Sequence, residues 1–177
     1  MRLTGRAPNG PPVIHVATSQ RHGRNEAIVR RFVDDVWNGG DPDAVETLTT
    51  PAFVLHQLVA DEHHDRESFS SFHAGLSEAV PDLTIDVEDL VVDGHDAVAL
   101  VRMRGTPERP YQALRPTGES FDVHAFHKYR LADGRVDEVW VMADAVGTMR
   151  QLGLFPPSPG LMLRVAVGKA RKRLLGR

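Results

Sequence analysis

Residues 117–153 read TGESFDVHAFHKYRLADGRVDEVWVMADAVGTMRQLG. This stretch predicts two strands, 119–131 and 135–143, which are rich in β-branched and aromatic residues. The intervening Ala132, Asp133 and Gly134 are residue types that close a hairpin. Asp144 follows the second strand, and a short helix is predicted to begin at Ala145.

Alternation along the two strands predicts which side chains point inward. The inward set of the first strand is Phe121, Val123, Ala125, His127, Tyr129 and Leu131. The second strand has one face made of Val136, Glu138, Trp140, Met142 and Asp144. We expect this face to meet the inward set, although a single β-bulge would reverse the assignment.

Asp144 is the candidate catalytic residue of this hairpin. If the two faces meet, its carboxylate lies among Trp140, Met142, Tyr129 and His127. Such an apolar site disfavours the charged form of a carboxylate and suits it to general acid or base catalysis. The alternative interpretation is that Asp144 caps the helix that begins at Ala145, and both interpretations can hold together.

Composition limits the class of protein. A chain of 177 residues suits one domain, and the absence of cysteine excludes disulfides and thiol chemistry. Residues 1–23 and 164–177 contain basic residues and no acidic ones, so the middle is more acidic than the net charge of −3 suggests. An acidic domain is a poor nucleic-acid binder, and no apolar run is long enough for a membrane span. We therefore expect a soluble, cytoplasmic protein.

Three segments follow from the pattern along the chain. The first segment, residues 1–23, is rich in Gly and Pro and is predicted to be a mobile tail. The domain is predicted to comprise residues 24–155, and a basic extension follows over residues 156–177. The extension predicts docking on the protein's own dimer in preference to membrane contact.

Helices precede strands within the domain. Ile28, Phe32, Val36 and Trp37 recur at helical spacing from residue 24 to Asn38. Further helices are predicted from Pro42 and over 65–80, with a short strand over 53–60, a loop over 61–64 and strands over 82–92 and 95–106. This order predicts an α+β fold, a curved antiparallel sheet whose concave side is covered by three helices. The space between them suits a small apolar ligand.

Several motifs in this order resemble one known family. They are NEAIVRRFVDDVWNGGDPDAVETLTTPAFVLH from Asn25, PDL from Pro81, VEDLVVDG from Val87, RGT from Arg104, PTGESF from Pro116, and D-x-x-G-x-x-R-Q-L-G from Asp144. Together they resemble the SnoaL-like polyketide cyclases of the nuclear transport factor 2-like superfamily. The resemblance covers residues 25–153.

The resemblance implies a cone-shaped α+β barrel, commonly a homodimer, that uses no metal or organic cofactor. It also implies that Asp144 is the general acid/base of an intramolecular aldol condensation on a small apolar carbonyl substrate. His127 and, from the opposite wall, His56 are candidate hydrogen-bond donors to the enolate, with a structural role as the alternative for each. The candidate substrate-binding residues, which can equally be plain core, are Trp37, Phe32, Met103, Tyr129, Trp140 and Met142.

Other functions are compatible with the same fold, because fold does not fix function. One is a non-catalytic binding or accessory dimer in which Asp144 only caps its helix. Another is a related dehydratase or isomerase; an isomerase needs a tyrosine and a second carboxylic acid, for which Tyr129 and Glu138 are the candidates.

Overall fold

The computed structural model describes residues 14–112 and 115–154. Apart from one additional strand before α3, helices and strands follow in the predicted order, and the α+β prediction is confirmed. The helices are α1 (Ile14–Arg31), which continues as a π-helical segment (Phe32–Asn38), α2 (Pro42–Leu48), α3 (Arg66–Ala79) and α4 (Ala145–Gln151). The strands are β1 (Thr49–Gln57), β2 (Glu62–Asp65), β3 (Thr84–Asp93), β4 (Asp96–Gly105), β5 (Phe121–Ala132) and β6 (Arg135–Ala143).

The strands form one sheet in the order β2-β1-β6-β5-β4-β3. Four neighbouring pairs are antiparallel, as predicted, but β1 and β6 run parallel. These two strands are far apart in sequence, so no hairpin fixes their relative direction. The prediction of a purely antiparallel sheet is therefore wrong at this pair.

The first helix begins earlier than predicted. α1 starts at Ile14, so residues 14–23 of the predicted tail are helical, while residues 1–13 lie outside the described part. Its continuation, the π-helical segment, buries Phe32, Val36 and Trp37, as the helical spacing indicated. It ends at Gly39, where an added Cβ would lie 2.6 Å from the carbonyl oxygen of Asp35. A glycine is therefore needed for this tight exit.

The segment predicted as a loop before α3 is an edge strand. β2 pairs antiparallel with β1, with Val54 opposite Asp65 and Gln57 opposite Glu62. The chain then enters α3 through Asp65, whose carboxylate accepts a hydrogen bond from the backbone N–H of Ser68 at 2.9 Å. This N-cap fixes the start of α3 within one residue of the prediction.

The β5–β6 hairpin confirms one face prediction and overturns the other. β5 alternates without a break, and its six inward residues are buried. The turn is closed by Asp133 and Gly134, both at positive φ. A bulge at Asp137 shifts the β6 register, so Val139 and Val141 point inward while Glu138, Trp140 and Met142 point outward. The expectation that Trp140 and Met142 face inward is wrong for this reason.

Aromatic rings fill the core between the helices and the sheet. Phe32 lies 6.0 Å from both Phe53 and Tyr129 between ring centroids, and Phe53 lies 5.4 Å from Phe69. All four side chains are fully buried. Burying each of them contributes roughly 1.5–3 kcal/mol, so this cluster fixes how the helices sit on the sheet.

The described residues contain no helix long and apolar enough to cross a membrane. The basic extension, 156–177, lies outside the described residues, as does its predicted docking on a dimer or membrane.

Candidate functional site

An open cavity of about 370 Å³ lies on the inward face of the sheet, between the end of α3 and α4. β4, β5 and β6 form its floor, and the β1–β2 connection and the loop after β4 form its rim. The lining side chains from the sheet and its rim are Gln57, Val59, Ala60, Met103, Gln112, Phe121, Val123, Val141 and Ala143. The remaining lining residues are Leu76, Leu83, Ala145, Thr148 and Met149.

The cavity wall is mostly apolar, and its polar groups are neutral. Gln57 approaches His64 at 3.3 Å, and Gln112 donates to the carboxylate of Glu62 at 3.0 Å. Thr148 is the third polar residue of the lining, and no acidic, basic or histidine side chain of the described residues belongs to it. An apolar wall with a few neutral hydrogen-bonding groups suits an uncharged organic ligand.

Asp144 is the N-cap of α4, which confirms the capping interpretation. Its Oδ1 accepts a hydrogen bond from the Gly147 N–H at 2.7 Å, and its backbone carbonyl accepts from the Thr148 N–H at 2.9 Å. A Cβ on Gly147 would collide with Asp144 Oδ2, so the glycine of the D-x-x-G motif makes room for the carboxylate.

The predicted apolar enclosure of Asp144 is absent. The side chain is exposed, and the four residues predicted around it do not form one enclosure, because His127 and Tyr129 point inward whereas Trp140 and Met142 point outward. Its neighbours in sequence, Ala143 and Ala145, do line the cavity. Asp144 itself is not a lining residue, so its carboxylate lies outside the cavity wall.

His127 is buried beside the cavity lining. It is 1 % exposed, and its Nδ1 lies 3.1 Å from the hydroxyl oxygen of Tyr129. Burial lowers the pKa of His127 to about 4 and raises the pKa of Tyr129, so both side chains are neutral at pH 7. Val141 stands opposite His127 in the β5–β6 ladder and lines the cavity, whereas His127 does not.

His56 lies on the outward face of β1, so the prediction that it faces His127 across the cavity is wrong. Its Nε2 lies 3.0 Å from Glu138 Oε2, and its Nδ1 lies 2.9 Å from Nδ1 of His63. Its ring stacks on Trp140 with 4.9 Å between centroids. In β1 the inward phase belongs to Phe53, Leu55 and Gln57, which leaves His56 on the other side of the sheet.

The predicted substrate-binding residues divide into three groups. Met103 lines the cavity. Phe32, Trp37 and Tyr129 belong to the buried core, and Trp140 and Met142 lie on the outward face. The isomerase-like pair is also separated, because Tyr129 is buried inside while Glu138 bonds Arg130 on the outward face at 2.7 Å.

Sequence reasoning missed most of the wall. Thr148 and Met149 come from α4, where with Ala145 they follow the i, i+3, i+4 spacing of one helical face. Gln57 shares the inward phase of Phe53 and Leu55 on β1 and was recognisable by alternation. Gln112 has a positive φ in an irregular loop, and no periodicity points to it.

The family of the chain follows from comparison with known proteins. The model of the SnoaL-like polyketide cyclase family matches residues 27–152. The chain therefore belongs to the SnoaL-like polyketide cyclase family, as its motifs indicated. Comparison with curated protein sequences gives no significant match.

Solved structures show the same fold. IdmH, a candidate polyketide cyclase from Streptomyces antibioticus, is 26% identical with a TM-score of 0.65, over 73% of this chain and 98% of that one. A candidate SnoaL-like polyketide cyclase from Jannaschia sp. is 25% identical with a TM-score of 0.68, and the match covers 85% of this chain and 100% of that one. AclR, a candidate hydroxylase from Streptomyces galilaeus, is 20% identical with a TM-score of 0.69 and shares the fold. The match covers 88% of this chain and 97% of that one.

Proposed function

We propose that the protein binds a small apolar polyketide in the cavity and cyclises it by intramolecular aldol condensation, with Asp144 as the acid/base group. One observation carries this proposal: Ala143 and Ala145 line the cavity on either side of Asp144. Membership of the SnoaL-like polyketide cyclase family supports the class of reaction.

The chemistry needs one carboxylate that is free to move a proton. Oδ1 of Asp144 is held by the Gly147 N–H, and Oδ2 has no hydrogen-bond partner among the described residues. Oδ2 removes a proton from a carbon that lies between two carbonyl groups. The resulting enolate carbon attacks a second carbonyl carbon of the same chain, and the new alkoxide takes the proton back from Asp144. The step is redox-neutral and consumes no other reactant.

The cavity supplies the orientation that the ring closure requires. A flexible polyketone has many conformations in water, and few of them bring the enolate carbon near the second carbonyl. Apolar walls from Leu76, Met103 and Val123 favour a compact, folded ligand. Holding the reacting carbons together removes much of the entropic barrier to cyclisation.

A second candidate function is ligand binding without catalysis. Two observations favour it: Asp144 is exposed and its Oδ1 is occupied by the helix cap, and the described cavity lining contains no titratable side chain. In this alternative the cavity binds the same class of compound, and Asp144 only fixes α4.

The substitution Asp144→Asn separates the two functions, because asparagine caps a helix about as well as aspartate but cannot act as a base. The probe is an aryl 3,7-diketo ester, in which C2 lies between two carbonyl groups and closes a six-membered ring on C7. The cyclised product is an isomer of the probe, so it is separated by liquid chromatography before mass spectrometry. For a cyclase we expect kcat to fall about 100-fold or more, with little change in KM.

The matched control is Asp65→Asn, which alters the equivalent cap of α3 and should retain wild-type activity. A fully active Asp144→Asn variant would remove Asp144 from the mechanism. Binding of the probe by the wild type without any turnover would establish the second candidate.

We also propose that a second copy of the chain covers the outward face of the sheet. Phe126 and Met142 are cross-strand neighbours there, and they are 56 % and 53 % exposed. The same face carries both charges, as in the ion pair of Arg102 with Asp122 at 2.7 Å. An apolar patch flanked by both signs of charge can pair with its own copy.

A further inference from the structure

Two buried nitrogens on the inward side of the sheet have no hydrogen-bond partner among the described residues: Trp37 Nε1 and His127 Nε2. Trp37 is 5% exposed and His127 is 1 % exposed, and their ring centroids are 6.0 Å apart. Buried polar groups in proteins nearly always have a partner. Two neighbouring exceptions therefore require a hydrogen-bond partner that the described residues do not supply.

Tyr129 determines which hydrogen-bonding role His127 Nε2 takes. The buried Tyr129 hydroxyl lies 3.1 Å from His127 Nδ1, which is its hydrogen-bond partner among the described residues. The hydroxyl donates its proton to Nδ1 only if the neutral imidazole carries its hydrogen on Nε2. The opposite tautomer would leave the Tyr129 O–H, the Trp37 N–H and the Nε2 lone pair all without partners. Nε2 is therefore an N–H donor.

The two nitrogens are thus both donors, and together they suit one acceptor. The indole of Trp37 is a donor only, and His127 Nε2–H is a second donor beside it. A carbonyl oxygen accepts two hydrogen bonds through its two lone pairs. A cation or an N–H group of a ligand would find no acceptor here.

This pair of donors lies beside the cavity lining. Val141 lines the cavity and stands directly opposite His127 in the sheet, with both side chains on the inward face. On α3, Leu76 lines the cavity, while His73, one turn earlier, packs against Trp37 at 5.6 Å between centroids.

We propose that Trp37 Nε1 and His127 Nε2 bind one carbonyl oxygen of the ligand that occupies the cavity. This inference rests on the proposed function, and it names the chemical group that sets specificity at that site. When a proton is removed next to this carbonyl, negative charge develops on the oxygen. Two fixed N–H donors in a water-poor site stabilise that charge strongly.

The test uses two probes of nearly equal shape, 2-acetylnaphthalene and 2-ethylnaphthalene, and the two tryptophans of the chain. The indole N–H signals of Trp37 and Trp140 are recorded by ¹⁵N NMR during each titration. We expect the ketone to move the Trp37 signal downfield and the hydrocarbon to produce no such shift. Trp140 faces outward and is the internal control, with a signal that stays in place.

A variant supplies the second measurement. Trp37→Phe retains an aromatic ring and removes the donor, so ketone affinity should fall about tenfold while hydrocarbon affinity is retained. If the variant does not fold, the wild-type titration decides alone.

Three results would overturn the inference. Equal affinity of the wild type for both probes would show that no ligand carbonyl binds to these donors. A Trp37 signal that is already shifted in the free protein and that the ketone does not move would show the same, because an internal water then occupies the donors. Both results leave the cavity as a binding site. Failure of both probes to bind would overturn the proposed function and this inference with it.

Discussion

The two faces of the β5–β6 hairpin differ in how their polar groups are satisfied. On the outward face, Glu138 bonds both His56 and Arg130, and Lys128 lies 4.9 Å above the ring of Trp140. On the inward face, His127 bonds Tyr129 and leaves one nitrogen without a described partner. The outward polar groups form hydrogen bonds and ion pairs with one another in contact with water. The inward His127 is neutral and buried, and one of its ring nitrogens lacks a hydrogen-bond partner among the described residues. Ligand recognition is therefore expected on the inward face.

The largest difference between the faces is expected in stability. Phe32 is fully buried against the inward face, and Phe126 is 56 % exposed on the outward face. Phe32→Ala should lower the free energy of unfolding by about 3–5 kcal/mol, because it leaves a cavity in the core. Phe126→Ala should change it by no more than about 0.5 kcal/mol. Urea unfolding of dilute protein measures both, and similar losses for the two variants would contradict the assignment of the faces.

The next effect is a pH dependence from His127. Its pKa is about 4 in the folded protein and near 6.5 in the unfolded chain, so only the unfolded chain binds this proton between those values. The free energy of unfolding should therefore fall by about 3 kcal/mol as the pH drops from 6.5 to 4.

Replacing the histidine isolates this contribution. His127→Gln should make the decline in that window smaller, whatever its effect on stability at pH 7, and His73, whose pKa burial also lowers, should account for part of what remains. His124→Gln, on the outward phase of the same strand, should leave the decline in place. An undiminished decline in His127→Gln would show that His127 is not its source.

A smaller effect is expected at the junction of the two faces, where Asp144 begins α4. Gly147→Ala should displace the Asp144 carboxylate and weaken the cap, with a net loss of about 1 kcal/mol. Gly23→Ala is the control, because its Cβ meets nothing within 4 Å and it lies within α1. That substitution should stabilise the protein by about 0.5–1 kcal/mol. Thermal unfolding of both variants shows whether each substitution raises or lowers stability. A Gly147→Ala variant more stable than the wild type would contradict the capping role of Asp144.

The smallest effect on stability is expected from a charge on the proposed dimer face. Phe126→Glu should convert a dimer to a monomer while leaving the unfolding of the monomer nearly unchanged. Val146→Glu changes an exposed residue of α4 and is the control. Light scattering after size-exclusion chromatography gives the mass. A wild-type monomer, or a Phe126→Glu dimer, would exclude this face as the interface.

Local chemistry made much of the fold predictable. The alternation of β5, the positive-φ turn at Asp133 and Gly134, and the caps at Asp65 and Asp144 each depend on residues close in sequence. The parallel pairing of β1 with β6 and the edge strand β2 depend on contacts between distant segments. Periodicity carries no information about such contacts.

The candidate site was less predictable because one bulge reverses a face. The register shift at Asp137 turned Trp140 and Met142 outward and left Asp144 exposed, although the alternation of β6 looked regular. The same shift brought Val141 into the cavity wall. Among the predicted substrate contacts, Met103 does line the cavity. Its inward orientation follows the regular alternation, because β4 pairs with β5 without a register shift.

The central claim is that the inward cavity binds a small apolar carbonyl compound, and methionine methyl NMR tests it most directly. Met103 and Met149 line the cavity, and Met142 lies exposed on the outward face. During titration with 2-acetylnaphthalene, the ring current of the bound ligand should shift the methyl signals of Met103 and Met149 and leave that of Met142 in place. A shift of Met142 alone, or no saturable shift of any methyl signal, would contradict the claim.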